Sequence, residues 1–384
     1  MLSERVRNMA GSTTLEIDAK AKQLKKDGKD IVNFSAGEPD FNTPENIKQA
    51  AIKAINNNLT RYTPAGGIPE LKKAIAEKFK RENNIDYNIS EILVSCGGKH
   101  SLYNILMAIL NKGDEVILSV PYWVSYEEMI KLAEAKPVFC NTDKMFKLTT
   151  DMIKNKITDK TKMLILNSPS NPSGAIIDPS EIRKIAALAI EHKLYVVSDE
   201  VYEHFIYGNN KHISIASLND EIKNLTIISN SVSKTYAMTG WRIGYSAGNE
   251  NIIKVMENLQ SHSTGNPSNI AQYAALEALN GPQDNIKQMV KAFDERRKFM
   301  CKRLKEIEYI NCNEPEGAFY VFPDISETGM TSMEFASKLL DETLVAVVPG
   351  IAFGSDKHIR LSYATSMHEI ERGLDRIEKW VKLR

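Results

Sequence analysis

At 384 residues the chain is too long for one small core, and its length points to two or three domains. Lys plus Arg equals Asp plus Glu at 49 each, which counts against nucleic acid or an anionic membrane as the main partner, since both require a basic excess. With 42% hydrophobic and 26% charged residues, the composition is that of an ordinary soluble globular chain.

Residues 1–20 contain no continuous apolar stretch and carry Glu4, Arg5, Arg7, Glu16 and Asp18, so they read as neither a signal peptide nor a membrane anchor. No later stretch approaches the roughly 18 apolar residues of a spanning helix. Residues 92–95 predict a strand that meets Gly97-Gly98 and then a helix over 99–110. Further strands are predicted at 115–119 and 162–166, the latter running into a loop at 167–174. Asp178 reads as an N-cap, Pro179 as the first helical residue and Glu181 as the closing member of a capping box. Ile182, Ile185, Ala186, Ala189 and Ile190 then share one helix face.

Strands follow at 195–198, 226–229 and 241–247, apolar and β-branched as befits strands covered by helices on both faces. The pattern changes near Gly281-Pro282. A long charged helix over 285–306 leads to strand-like runs at 317–322, 345–348 and 358–363, then an amphipathic helix over 367–383. The alternation of short apolar runs and helical patterns is that of an α/β fold. The expected architecture is a large domain at 46–281 with a mostly parallel central sheet flanked by helices. A smaller α/β domain is expected from residues 282–384 joined by the N-terminal segment 1–45. The four cysteines, Cys96, Cys140, Cys301 and Cys312, have no CxxC spacing and no histidine at metal-ligand spacing. They read as reduced, mostly buried thiols of a cytoplasmic protein, and no metal is expected.

The most informative stretch runs from Ser231 to Gly244. Lys234 stands among small hydroxyl residues, and Arg242 follows eight positions later between Trp241 and Ile243-Gly244. That combination suits a phosphorylated aldehyde: the amine forms an imine, while Ser231, Ser233 and the Arg242 guanidinium hold the phosphate dianion. A lone lysine is ordinarily a solvated loop residue, and the rest of the chain alters that reading. Asp199 ends an apolar strand, where it would face a pyridine nitrogen, with Tyr202 at the ring phenolate; an N-cap at a strand-to-helix turn is the bland alternative. Asn171, in a loop after a strand, is a donor to the same oxygen. Gly98 and Lys99 open a helix and offer free N–H groups to a phosphate. Trp123 ends another strand and would lie on the ring, or else simply pack in the core.

Together these residues make the chain resemble the fold-type-I aminotransferases dependent on pyridoxal 5'-phosphate (PLP), in the bacterial aspartate aminotransferase subgroup of class I/II. The resemblance spans nearly the whole chain, through Ser35–Phe41, Arg61–Gly67, Pro121–Ser125, Asn167–Gly174, Ser198–Tyr202, Ser231–Gly244, Pro315–Tyr320 and Arg360–Ala364. It implies Lys234 as the imine lysine, Arg242 and the Gly98 and Lys99 amides at the phosphate, Asp199 at the pyridine nitrogen, Asn171 and Tyr202 at the phenolate, and Trp123 stacked on the ring. It also implies that Tyr62 reaches the phosphate of a neighbouring subunit, hence a homodimer with shared sites. Arg360 would grip the substrate α-carboxylate beside the Gly37 N–H, its fork suited to bidentate contact.

For a dicarboxylate substrate a second cation is required. Residues 261–267 contain no arginine, and the resemblance gives that role to Lys99; His262 is a further candidate that also reads as a surface histidine. Residues 9–12 add no charge. Aspartate with 2-oxoglutarate is the expected pair, with aromatic, prephenate or broad specificity, or a PLP β-lyase, as alternatives on the same fold. A PLP-binding regulator would require a DNA-binding module that the chain lacks.

Overall fold

The computed structural model describes residues 3–7, 9 and 11–384; Ala10, within the uncharged 9–12 stretch, lies outside them. Seven strands form the central sheet: β1 (Ile92–Ser95), β2 (Glu115–Val120), β3 (Lys136–Asn141), β4 (Thr161–Asn167), β5 (Tyr195–Asp199), β6 (Thr226–Ser231) and β7 (Gly244–Ala247). Their order is β1-β7-β6-β5-β4-β2-β3, and only β7 runs against its neighbours. Side-chain alternation explains why these runs are apolar throughout. Ile92 and Val94 of β1 enter the cluster shared with helices Glu45–Asn56, Pro69–Lys78 and Asn269–Asn280. Leu93 between them enters the opposite cluster, with helices Gly98–Ile109 and Glu250–Ser263.

Several sequence expectations change in the tertiary structure. β3 carries no strong strand signal because Lys136, Pro137 and Asn141 interrupt it; it lies at the sheet edge, half solvated, where a proline is tolerated. The predicted strand over 241–247 begins only at Gly244, after a 3-10 turn at Thr239–Trp241 and a left-handed Arg242 (φ 57°). Helix Pro179–Glu191 does start after Asp178, but the predicted capping box does not form. Lys147 Nζ takes Asp178 Oδ1 at 3.1 Å, and Glu181 Oε2 instead accepts from Thr150 N at 2.7 Å and Thr150 Oγ1 at 2.8 Å. Donors from a distant segment thus displace the local backbone donors.

The run at 345–348 divides between two sheets. Val345–Ala346 pairs in parallel with Val32–Asn33, whereas Val348–Pro349 pairs antiparallel with Ile359–Ser362, which in turn pairs with Tyr320–Val321. Phe34 shares a core cluster with Phe293 of helix Asp284–Lys305, Phe319, Phe335 and Trp380 of helix Met367–Lys382. Tyr202 and Phe205, just beyond β5, belong to the same cluster. The N-terminal segment is therefore packed with the last third of the chain, against the end of β5. All four cysteines are free, and Cys140, Cys301 and Cys312 are buried. Among the described residues no helix is long and apolar enough to cross a membrane.

Two glycines separate steric from conformational demands. A Cβ on Gly244 would stand 2.3 Å from the backbone of Gly97 and Gly98, where β1 and β7 meet. At Gly208 there is open space but a φ of +66°. Gly244→Ala is expected to cost about 2–3 kcal/mol through overpacking, and Gly208→Ala about 1 kcal/mol. Denaturant midpoints of the two variants check the ranking.

Candidate active site

β1, β2, β4, β5 and β6 all end at one edge of the sheet, and the antiparallel β7 begins there. Ligand groups collect at such an edge because the chain leaves each strand there in a loop or a helix start. The result is a cleft of about 410 Å³, lined by every cofactor or substrate residue expected from the sequence except Tyr62 and His262. Tyr62 is 97% exposed, and His262 is exposed on helix Glu250–Ser263.

Lys234 lies on the short helix Val232–Thr235, directly after β6. The Ser231 side chain caps that helix, accepting from the Ser233 N–H at 3.3 Å. Lys234 Nζ donates to the Gly37 carbonyl of the N-terminal segment. Burial pulls the Lys234 amine down to about 8; the Glu38 carboxylate works against this shift and the Arg360 and Arg242 guanidiniums reinforce it. A substantial neutral fraction therefore exists close to physiological pH.

Asp199, at the end of β5, is buried, and desolvation raises its carboxyl to about 6. The Tyr126 hydroxyl donates to Asp199 Oδ2 at 2.5 Å and the Val201 N–H to Oδ1 at 3.3 Å, both opposing the shift. Asn167 binds the two neighbouring loops together: its Nδ2 donates to the Asp199 carbonyl at 3.1 Å and its Oδ1 accepts from the Asn171 N–H at 2.9 Å.

Asn171 Oδ1 in turn accepts from Arg360 Nη1 at 3.0 Å, while Nη2 reaches the Ser35 carbonyl at 2.8 Å. The guanidinium lies 4.4 Å from the Tyr320 ring centre and 5.1 Å from that of Phe353. Its Nε is buried without a hydrogen-bond partner. Among the described residues no carboxylate forms an ion pair with this guanidinium, and a buried guanidinium without a full set of acceptors is suited to an incoming anion. The Tyr202 hydroxyl meets that of Tyr320 at 2.9 Å.

The other end of the cleft is a cradle of donors. The first intrahelical bonds of Gly98–Ile109 come from His100 and Ser101 to the Gly97 carbonyl, so the Gly98 and Lys99 N–H groups precede the ladder. Arg242 packs so closely that a Cβ on Gly97 would stand 2.1 Å from Nη2. Gly97 also has φ +89°, which only glycine adopts without strain. Lys99 Nζ stands 5.1 Å from the Trp123 ring centre, and Trp123 meets Tyr126 edge-on at 82°. Burial, then the Arg242 charge, lowers the Lys99 amine from its ordinary value.

Sequence reasoning did not assign Tyr126, Asn167, Tyr320 or Ser35 to this site. Asn167, Tyr320 and Ser35 stand inside quoted motifs, the first two at strand ends and Ser35 two residues before Gly37, and that placement was the available signal. Tyr126 lies on helix Ser125–Leu132, one residue past its motif, and only the packing shows it beneath Asp199.

Asp199 also makes a prediction about stability. Folding raises its pKa from 3.8 to about 6, so its contribution is fully present below about pH 4 and is lost as pH rises through about 6, a change of roughly 3 kcal/mol. Asp199→Asn removes this dependence. Urea midpoints should place the variant progressively above the parent between about pH 4 and pH 6, with a constant gap beyond; parallel curves would contradict the assignment.

This geometry has counterparts in other proteins. The chain matches the family model of aminotransferase class I and II over residues 29–377. It is 50% identical over 389 aligned positions to an aspartate aminotransferase of Bacillus sp. (strain YM-2), covering 100% of this chain and 99% of that one. A probable aspartate/prephenate aminotransferase of Rickettsia conorii is 48% identical, covering 99% and 98%. The solved structure of Thermus thermophilus aspartate aminotransferase with maleate superposes at a TM-score of 0.96, with 41% identity and 99% coverage of both chains. With a family match over most of its length and full-length relatives near half identity, the chain belongs to the class I and II aminotransferases.

Proposed function

We propose that this aminotransferase moves the amino group of aspartate to 2-oxoglutarate, giving oxaloacetate and glutamate, with PLP held through Lys234. The family is PLP-dependent in general, and the residues present fit that group. The observation that carries the reading is the convergence, in one cleft, of a buried amine of lowered pKa, a buried carboxyl on the adjacent strand end, a donor cradle for a dianion and an under-satisfied guanidinium.

Bound PLP supplies an electron sink for the bond broken at the substrate Cα. The protein's part is to hold it and to move protons. Asp199, steadied by Tyr126, keeps a proton on the pyridine nitrogen. Asn171 and Tyr202 serve the phenolate oxygen, and Trp123 forms the ring-stacking wall. Gly98, Lys99, Ser231, Ser233 and Arg242 hold the phosphate, with Tyr62 of a second copy completing it in a homodimer. The exposure of Tyr62 supports that use, since it is free to leave its own chain's surface.

Arg360 would grip the α-carboxylate beside Gly37 and so orient the substrate for removal of the Cα proton. Lys234 Nζ, once free, takes that proton as base and delivers it as acid. Segments 1–45 and 282–384 act as one unit over 46–281 and close on substrate. Partners are small amino and 2-oxo acids, with no nucleic acid or membrane, and the setting is cytoplasmic.

Lys99 is the cation available to a distal carboxylate. The Thermus relative is described with maleate, itself a dicarboxylate, which supports this choice. The Rickettsia relative's description also includes prephenate, and a flexible lysine over an indole is compatible with a ring-bearing acid.

Adding aspartate alone to the PLP-loaded protein should convert the imine absorbance band to that of the aminated cofactor, with one oxaloacetate per site. An unchanged band would exclude aspartate, and no response to a panel of amino acids would exclude the reaction. Lys99→Ala should raise the KM for aspartate about 10- to 100-fold, as for a lost charge-assisted bond. The KM for tyrosine should change less than about threefold; equal losses would remove Lys99 as the specificity residue.

A further inference from the structure

Outside the cleft, a group of buried charges lies behind β5 and β6. Lys78, the last residue of helix Pro69–Lys78, pairs with Glu203, their side chains 1% and 6% exposed. Glu203 follows the Asp199–Tyr202 segment by one residue and does not line the cleft. Its Oε1 also accepts from Asn230 Nδ2 at 2.6 Å, and its Oε2 from Asn83 Nδ2 at 2.8 Å. Asn83 Oδ1 closes the ring by accepting from Lys78 Nζ at 2.8 Å. Two acid-and-histidine triads that include Glu203 bring potential ligand atoms within 4.8 Å of each other. A cation there would have to displace the three donors already on the Glu203 carboxylate, so the cluster does not present an open metal site.

Asn230 extends this ring toward the cleft. Its Oδ1 accepts from the Ser231 N–H at 2.7 Å, where β6 gives way to the helix carrying Lys234. Ser231 adopts φ −160° and ψ 159°, and its side chain faces Gly98: a Cβ on Gly98 would stand 3.5 Å from Ser231 Cβ and 3.7 Å from its Oγ. The amide of Asn230 is therefore held at both ends, by a buried carboxylate on one side and by the backbone it orients on the other.

We infer that Glu203, fixed by Lys78, is a positioning residue that acts through Asn230 to hold the Ser231 hydroxyl toward the phosphate cradle. The inference rests on the reading above that Ser231 serves the phosphate. Stability alone does not account for the buried pair, because apolar replacements of buried ion pairs are often as stable. A relay has a reason to remain ionic: the carboxylate accepts at once from Lys78 and Asn83 of one helical stretch and from Asn230 of β6, and no apolar group directs an amide. The same residue ties the loop after Asp199 to the strand before Lys234, so the two halves of the cofactor site share one reference point.

The test compares the affinity of the full-length chain for PLP and for pyridoxal, which lacks the phosphate. The variants are Ser231→Ala, Asn230→Ala and the charge-balanced double variant Lys78→Met/Glu203→Leu. Asn230→Ala and the double variant should each weaken PLP binding about tenfold, as for one lost hydrogen bond to a charged group, with pyridoxal binding within about twofold of the parent. The phosphorus resonance of bound PLP should shift in both. Ser231→Ala should show the same phosphate-dependent loss. If Ser231→Ala shows it and neither relay variant does, the relay is wrong and the phosphate reading stands. If Ser231→Ala shows none, the phosphate reading fails and the relay with it. Equal loss for both ligands in the relay variants would mean a purely structural cluster and would overturn the inference. Should Asn230→Ala fail to fold, the double variant decides by the same comparison.

Discussion

The contact between the Lys234 amine and the Gly37 carbonyl joins two parts of the molecule that the chain keeps far apart. Lys234 stands at the end of β6, in the middle of the central sheet; Gly37 belongs to a segment whose Val32–Asn33 pairs with Val345–Ala346. Arg360 reaches the same segment at the Ser35 carbonyl, from a strand that itself pairs with Tyr320–Val321. The amine, the guanidinium and the backbone between them are thus set by one arrangement of the N-terminal segment. Any displacement of that segment changes the surroundings of both cations at once.

Electrostatics gives the cleft its chemical character. Burial acts on Asp199 and Lys234 in opposite directions, lifting the acid to about 6 and lowering the base to about 8. Both shifts favour the neutral forms, the expected response of ionisable groups that leave water without a close counter-ion. Each is moderated by a specific neighbour, the Tyr126 hydroxyl for Asp199 and the Glu38 carboxylate for Lys234. Glu38 is itself held by Thr239 Oγ1 at 2.8 Å, a contact between the N-terminal segment and the turn before Arg242. Groups poised near neutrality are able to take and give protons under mild conditions. Behind the cleft, the Lys78–Glu203 ring represents another solution to buried charge: burial pushes the Glu203 carboxyl up, but the Lys78 charge and its hydrogen-bond partners hold it below its ordinary value.

The strands of the central sheet were legible because parallel strands covered on both faces are written as unbroken apolar runs, as in Ile92–Ser95 and Thr226–Ser231. The edge strand Lys136–Asn141 was not legible, since a solvated edge does not require such a run. The split of 345–348 between two sheets was also hidden: Val345 and Val348 look alike in sequence, and only their pairing partners, Val32 and Arg360, distinguish them. The capping residues Asp178 and Glu181 failed as a local signal because Lys147 and Thr150, distant in sequence, supplied better partners.

The sequence by itself determined the chemical inventory: a lysine among hydroxyl residues, an arginine eight places on, an aspartate closing an apolar strand, and two glycines opening a helix. These are local matters of residue type and spacing, and rotamer, strand and helix rules act on them locally. Only the tertiary structure decided which groups hold and tune that inventory. Tyr126 beneath Asp199, Asn167 between two loops, Tyr320 against Arg360 and Glu203 behind Ser231 are all joined across the fold. Their roles depend on side-chain contacts between segments tens of residues apart, and no spacing rule along a chain encodes such a contact.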